Sequence, residues 1–460
     1  MIPTRTQDFQ AVKDTHTIRL ARPPHEQRRA KWQDTPPPTY QEGPLSPQQV
    51  EDFYKDGLLV LPDFYTLDQI KACQRDMDNA INELADTLLQ AKRITHPHLH
   101  ADDNDKKKLD WTERLLSMAK EDPQAPIFLL KRGILPPSFW NLYSHPQMLQ
   151  IAQQLGLTSH LALHPAWNIR AKMPHDPTTV VPWHQDNSYW EPRLWDELIL
   201  TVWVALVPAS VQNGCLQFVK SGHASGKTAT HTIGTSSPMW YTELDPSIME
   251  QELEIELKEE QTIVTCEASP GTAIIFGGTL PHRSLNSMEA SVWWSSDFRL
   301  HNAVPRRKTL SGRELDWFYG MKDSLVLTPN DTTDKDNDNE NKINNTKPTR
   351  QEWEQWAGMD RTQLQDETAG VAAMEFDPVV VGPWMDLWTM EHHKDGLNNP
   401  HVDRYLETLA LKGGNDAAVE AEDAKLIQGY KDNGNWWIFR SIYWDLDFER
   451  DGGAVLLVQQ

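Results

Sequence analysis

The sequence predicts an all-β core with α additions: a double-stranded β-helix (jelly roll, cupin-like) flanked by N-terminal helices and a C-terminal extension. Three observations carry this. Short apolar runs closed by glycine or proline recur between Leu161 and Leu300, among them Leu198–Val207 and Gly271–Gly278, the pattern of buried strands. Helical segments with start signals stand ahead of them. Finally, His184 and Asp186 lie beside one run and His282 beside a later one. Two polar ligands at one strand end and a third at a later strand end is how a jelly roll assembles a metal triad.

Taken in order, residues 1–45 are polar and proline-rich and are expected to form a flexible N-terminal arm. Residues 46–328 form the predicted jelly-roll domain with its helices. Ser46-Pro47-Gln48-Gln49 is a capping-box start with proline at the first helical position, and Gly57 supplies the stop. Leu58–Leu61 reads as a strand. Thr66-x-x-Gln69 opens a second helix, whose apolar residues Ile70, Cys73, Met77, Ile81, Leu84 and Leu88 share one face. His96, His98 and His100 alternate like a ligand set, but the charged run Asp102–Lys108 after them marks a surface loop.

Phe128–Leu130 and Phe139–Leu142 read as core, and His145–Leu155 as a helix ending at Gly156. A strand follows at Ala166–Lys172. Leu198–Val207 is apolar on both faces and is expected at the centre of a sheet. An insertion at 234–262 carries an acidic stretch, Ile248–Glu260, expected as a solvated surface helix. Residues 329–349 hold one aliphatic side chain, Ile343, too little apolar surface to offset ordering entropy, and are expected as a disordered linker. Residues 350–460, rich in tryptophan from Trp353 to Trp444, are expected to pack on the core.

The chemistry concentrates at three residues. Val180 and Val181 read as strand, ended by Pro182, and alternation along a strand sends His184 and Asp186 the same way. His282, in Leu280-Pro281-His282-Arg283-Ser284, completes a 2-His-1-carboxylate set. That set leaves positions open on a metal and suits non-haem Fe(II) and O2.

Trp183–Trp190, Thr201–Leu206, Asn213-Gly214-Cys215-Leu216, Ser221-Gly222-His223 and Pro281-His282-Arg283-Ser284 occur in that order. Together, from Ser46 to Leu300, they resemble the phytanoyl-CoA dioxygenase family of Fe(II)/2-oxoglutarate-dependent oxygenases. The resemblance implies an oxidoreductase in which His184, Asp186 and His282 hold iron, while Lys172 and Ser284 contact 2-oxoglutarate as cosubstrate. O2 then oxidises a C–H bond of a medium-sized, partly apolar small molecule, by hydroxylation or a related step. Tyr189, Trp190 and Trp203 are expected to line its pocket.

One position departs from the family pattern. Trp293 stands where the family carries an arginine that pairs with the far carboxylate of 2-oxoglutarate, and an indole offers one N–H and no charge. The alternative reading is therefore a metal-binding jelly roll without 2-oxoglutarate turnover, either a 2-oxoglutarate-independent oxygenase or a non-catalytic binding protein. On a regular strand Ser295, Asp297 and Arg299 share the face of Trp293, and Arg299 is too far along to take over that pairing.

Bulk properties bound the rest. The 460 residues include 66 acidic and 44 basic ones, a formal net charge of −22. Phosphate backbones need a basic footprint, so nucleic acid is not an expected partner, and neither is an anionic membrane surface. A small anionic ligand is compatible, because a pocket's local charge can oppose the net charge. Cys73, Cys215 and Cys266 are widely spaced and suggest no disulfide framework. No apolar run reaches transmembrane length, and no apolar secretory segment opens the chain. The expectation is an intracellular protein, cytoplasmic ahead of mitochondrial.

Overall fold

The computed structural model describes residues 37–302 apart from 97–109, 131–134, 235–240 and a few shorter gaps, with Ala30, Gln33 and short stretches at 12–14, 17–20, 349–352 and 389–393. Nearly all of the expected linker and tryptophan-rich region lies outside the described residues, as do His98 and His100.

The start signals hold. Ser46 accepts from the Gln49 N–H and the Gln49 side chain accepts from the Ser46 N–H, which starts α1 (Pro47–Asp56); Gly57 ends it at φ 87°. Thr66 and Gln69 make the same reciprocal cap on α2 (Leu67–Gln90). Its expected face, Ile70 to Leu88, is buried in the main apolar cluster. The helices α3 (Trp111–Glu121), α4 (Ala125–Leu130) and α5 (Pro137–Tyr143) pack beside α2, and α6 (Pro146–Gln154) completes the helical layer.

That layer covers one face of an antiparallel sheet. The strands are β3 (Leu58–Leu61), β4 (Leu161–Leu163), β5 (Asn168–Lys172), β6 (Leu200–Ala205), β11 (Ala273–Gly277) and β13 (Trp293–Asn302). Their order is β3-β11-β6-β13-β4, with β5 also on β13, so β6 is interior and buried throughout, as expected. Opposite lies a smaller antiparallel sheet of β10 (Ile263–Cys266), β7 (Leu216–Val219) and β12 (His282–Ser284). The two sheets make the jelly roll. A further set of short strands, β1 (Val12–Asp14), β2 (Thr17–Leu20), β8 (Thr232–Gly234), β9 (Thr242–Glu243) and β14 (Thr389–His393), joins part of the N-terminal arm to the insertion by backbone pairing.

Period-two alternation on β13 divides its side chains between two jobs. Trp294, Ser296 and Phe298 face the helices: Trp294 lies against Trp111 at 4.7 Å, Phe298 stacks on Tyr143 at 4.3 Å, and Ser296 Oγ meets Tyr143 Oη at 2.6 Å. Trp293, Ser295, Asp297 and Arg299 face the cavity between the sheets.

The insertion departs from expectation. Its helix α7 is Pro246–Leu253, not Ile248–Glu260, because Asp245 caps it with proline at the first position and Glu254 ends it in the left-handed region at φ 59°. It is not simply solvated: Met249 and Leu253 bury against Trp183, Val219 and Leu244. Cys73, Cys215 and Cys266 are free and buried.

Candidate metal centre

His184, Asp186 and His282 come together in the cavity, with one ligand atom from each within 4.8 Å of the others. The local backbone differs from the expected strand. Residues 180–183 form none; His184 makes a single antiparallel bridge with His282, and Asp186 opens a 3-10 turn, Asp186–Tyr189. The segment is anchored from its other side by Gln185. That side chain donates to the carbonyls of Thr279 and Lys227 and accepts from the Ala229 N–H, while His231 Nε2 accepts from the Gln185 N–H.

Both imidazoles are oriented by backbone. His184 Nδ1 lies 2.9 Å from the Pro182 carbonyl and His282 Nδ1 3.0 Å from the Leu280 carbonyl. A carbonyl only accepts, so each Nδ1 carries a proton, and the neutral tautomer this selects is the one whose Nε2 can bind a metal. These Nε2 atoms lie 3.4 Å and 3.7 Å from Asp186 Oδ1. Burial, reinforced by the neighbouring His184, lowers the His282 pKa to about 3, so it is neutral, as a ligand must be. Burial opposes charge on Asp186, but Arg299 and the two histidines outweigh it and hold the carboxyl well below its usual range. Two imidazole nitrogens and one carboxylate oxygen, buried and facing a common point, fit a divalent transition metal.

Around this group the cavity, about 140 Å³, is lined by Arg170, Lys172, Thr201, Trp203, Ser284 and Trp293 among others. Lys172 and Ser284 are brought together: Lys172 Nζ donates to Ser284 Oγ at 2.8 Å and to the Leu285 carbonyl. Ser284 Oγ also accepts from the Val181 N–H at 2.9 Å. With both lone pairs occupied, its own O–H is left to donate elsewhere. Burial, and then Arg170, lower the Lys172 pKa to about 7. Gly214 makes room for this lysine: at φ 94°, a Cβ there would meet Leu285 O at 2.5 Å and Lys172 Cδ at 2.8 Å.

Trp293 is Lys172's cross-strand neighbour, with Lys172 Nζ 5.8 Å from the ring centroid, and it stacks on Trp203 at 5.5 Å. Of the three aromatics expected in the lining, Trp203 lines the cavity itself. Tyr189 sits edge-on to His184 and accepts from the Thr242 N–H, and Trp190 makes a buried contact with His164. Two residues were given no role by sequence reasoning. Thr201 and Arg299 both contact the outer oxygen of Asp186, and Arg299 in turn reaches Asp297. Strand alternation puts each on the cavity face, but only the β6–β13 register makes them meet.

A jelly roll carrying two histidines and one carboxylate in its cavity has the ligand set of the non-haem iron oxygenases. The phytanoyl-CoA dioxygenase family model matches residues 53–288, just over half of the 460 positions. The chain belongs to that family and is thus an oxidoreductase of the dioxygenase class. A phytanoyl-CoA dioxygenase of Arabidopsis thaliana is 24% identical over 261 residues, spanning 54% of this chain and 86% of the plant protein. Phytanoyl-CoA dioxygenase domain-containing protein 1 of Bos taurus is 28% identical over 204 residues, 40% of this chain and 67% of its own. Among solved structures, EctD from S. alaskensis with bound Fe covers 66% of this chain and 93% of its own at 17% identity, with a TM-score of 0.40. EctD with 2-oxoglutarate and 5-hydroxyectoine gives 69% and 95%, at 16% identity and the same TM-score of 0.40. Among the described residues no helix is long and apolar enough to cross a membrane.

Proposed function

We propose that this chain is a non-haem Fe(II)/2-oxoglutarate-dependent dioxygenase that hydroxylates, or otherwise oxidises a C–H bond of, a medium-sized small molecule. The observation that carries this is the convergence of His184, Asp186 and His282 in a cavity that also holds Lys172 and Ser284. His184 Nε2, His282 Nε2 and Asp186 Oδ1 would hold the iron. When bound, iron supplies oxygen activation coupled to oxidative decarboxylation of 2-oxoglutarate.

The remaining work belongs to the chain's own side chains. The Pro182 and Leu280 carbonyls fix the imidazole tautomers. The Lys172 ammonium and the Ser284 hydroxyl offer a charge and a donor to a carboxylate of the cosubstrate. Trp203, Trp293, Phe276 and Leu216 give the cavity an apolar wall that suits a partly apolar substrate and keeps water away. Trp293 is also what favours the second reading, a metal-binding jelly roll that does not turn over 2-oxoglutarate, since no guanidinium stands at that position.

The test is succinate formation by the purified protein given Fe(II), 2-oxoglutarate and O2, together with metal content after dialysis. His184→Ala should abolish succinate formation and weaken metal binding by at least about tenfold. A protein that binds metal tightly but forms no succinate, with any substrate from a small-molecule panel, supports the second reading instead.

A further inference from the structure

Strands β6 and β13 set Thr201 directly opposite Arg299, and cross-strand partners project together from one face. Here both reach a single atom. Thr201 Oγ1 donates to Asp186 Oδ2 at 2.6 Å and Arg299 Nη2 donates to it at 3.2 Å. The other oxygen, Oδ1, is the one facing His184 and His282. Arg299 is held in turn: its Nη1 bonds Asp297, and Asp297 also accepts from Arg170 Nε at 2.7 Å and Asn168 Nδ2 at 2.8 Å. Asp186, Asp297, Arg299 and Thr201 are all buried.

We propose that Arg299, with Thr201, is a positioning residue that restricts Asp186 to a single metal-facing oxygen. The inference rests on reading His184, Asp186 and His282 as a metal centre. A carboxylate free to turn can present both oxygens to an ion, as carboxylates do at many sites. Held by Oδ2, Asp186 presents Oδ1 alone, and a six-coordinate ion keeps three positions for small ligands. A 2-oxo acid chelating through two oxygens would fill two of them and leave one. Were Asp186 to chelate as well, that last position would be lost. If Arg299 only braces the sheet, its removal lowers thermal stability and leaves the ion's surroundings unchanged.

The experiment uses the full chain loaded with Mn(II) alone, and reads the number of exchangeable waters on the ion from solvent-proton relaxation. The wild type should show about three. Arg299→Gln and Thr201→Val should each lower that number towards two, and Arg299→Lys should restore it. Near-UV circular dichroism checks that each variant is folded; should Arg299→Gln unfold, Thr201→Val, nearly the same shape without the hydroxyl, decides. Wild-type water numbers in the folded variants, with Mn(II) bound, overturn the proposal and leave the metal centre standing. A wild-type protein that binds no Mn(II) overturns both.

Discussion

The affinity for 2-oxoglutarate should fall steeply as pH rises through neutrality, because the cation offered to it is a lysine poised to lose its proton. Burial and the nearby Arg170 put the Lys172 pKa at about 7 in the empty cavity. A bound dicarboxylate stabilises the ammonium and raises that value, so binding takes up a proton whenever the empty site is neutral. If only the protonated form binds well, the dissociation constant should rise about 25-fold between pH 6.5 and pH 8.5. Isothermal titration of the Mn(II)-loaded protein, in buffers of differing ionisation enthalpy, measures both the affinity and the proton taken up. Lys172→Arg stays charged and should flatten the profile. Without ligand the sign is opposite. The folded pKa of about 7 lies below the ordinary 10.5, so the unfolded chain holds more protons between those values, and this group's contribution to stability rises with pH across that window. A wild-type dissociation constant that stays within about twofold from pH 6.5 to 8.5, with no proton uptake, would refute the assignment of Lys172 to the cosubstrate.

The two adjacent tryptophans of β13 should answer differently to substitution. Trp293→Arg places a guanidinium in the cavity beside Lys172, and one charge-assisted bond should tighten 2-oxoglutarate binding by roughly 10- to 150-fold, read by titration; unchanged affinity would show that residue 293 does not reach the cosubstrate. Trp294→Ala faces the helices and removes the contact with Trp111, so it should lower unfolding free energy by about 3–5 kcal/mol in chemical denaturation while leaving Mn(II) affinity of the folded protein intact.

The ligand trio was legible in the sequence because its parts are local: a His-x-Asp at one segment, a histidine after a glycine-bounded apolar run at another. The first two helices were legible for a similar reason, since Ser46/Gln49 and Thr66/Gln69 carry their caps within four residues. What stayed hidden depends on register or on turn geometry. The 3-10 turn after Gln185 replaces the expected strand and sets Tyr189 edge-on to His184 and Trp190 against His164, and no periodicity announces it. Thr201 and Arg299 were each visible as strand residues, yet their meeting at Asp186 follows from how β6 pairs with β13. The start of α7 was there to be read, as Asp245 before Pro246, but the acidic run after it drew the helix too far downstream.

The pairing of His184 with His282 has a bearing on how the molecule is made. Each donates its backbone N–H to the other's carbonyl, at 3.0 Å and 2.9 Å, across a long intervening stretch of chain. Closing so large a loop costs chain entropy, which the contacts of the two sheets must offset. Hydrogen bonds of the chain itself therefore hold the two histidines side by side. In small zinc domains ligation and folding are one event; here the two histidines are already tied by backbone hydrogen bonds, and an ion that binds them adds stability by mass action, in proportion to its supply.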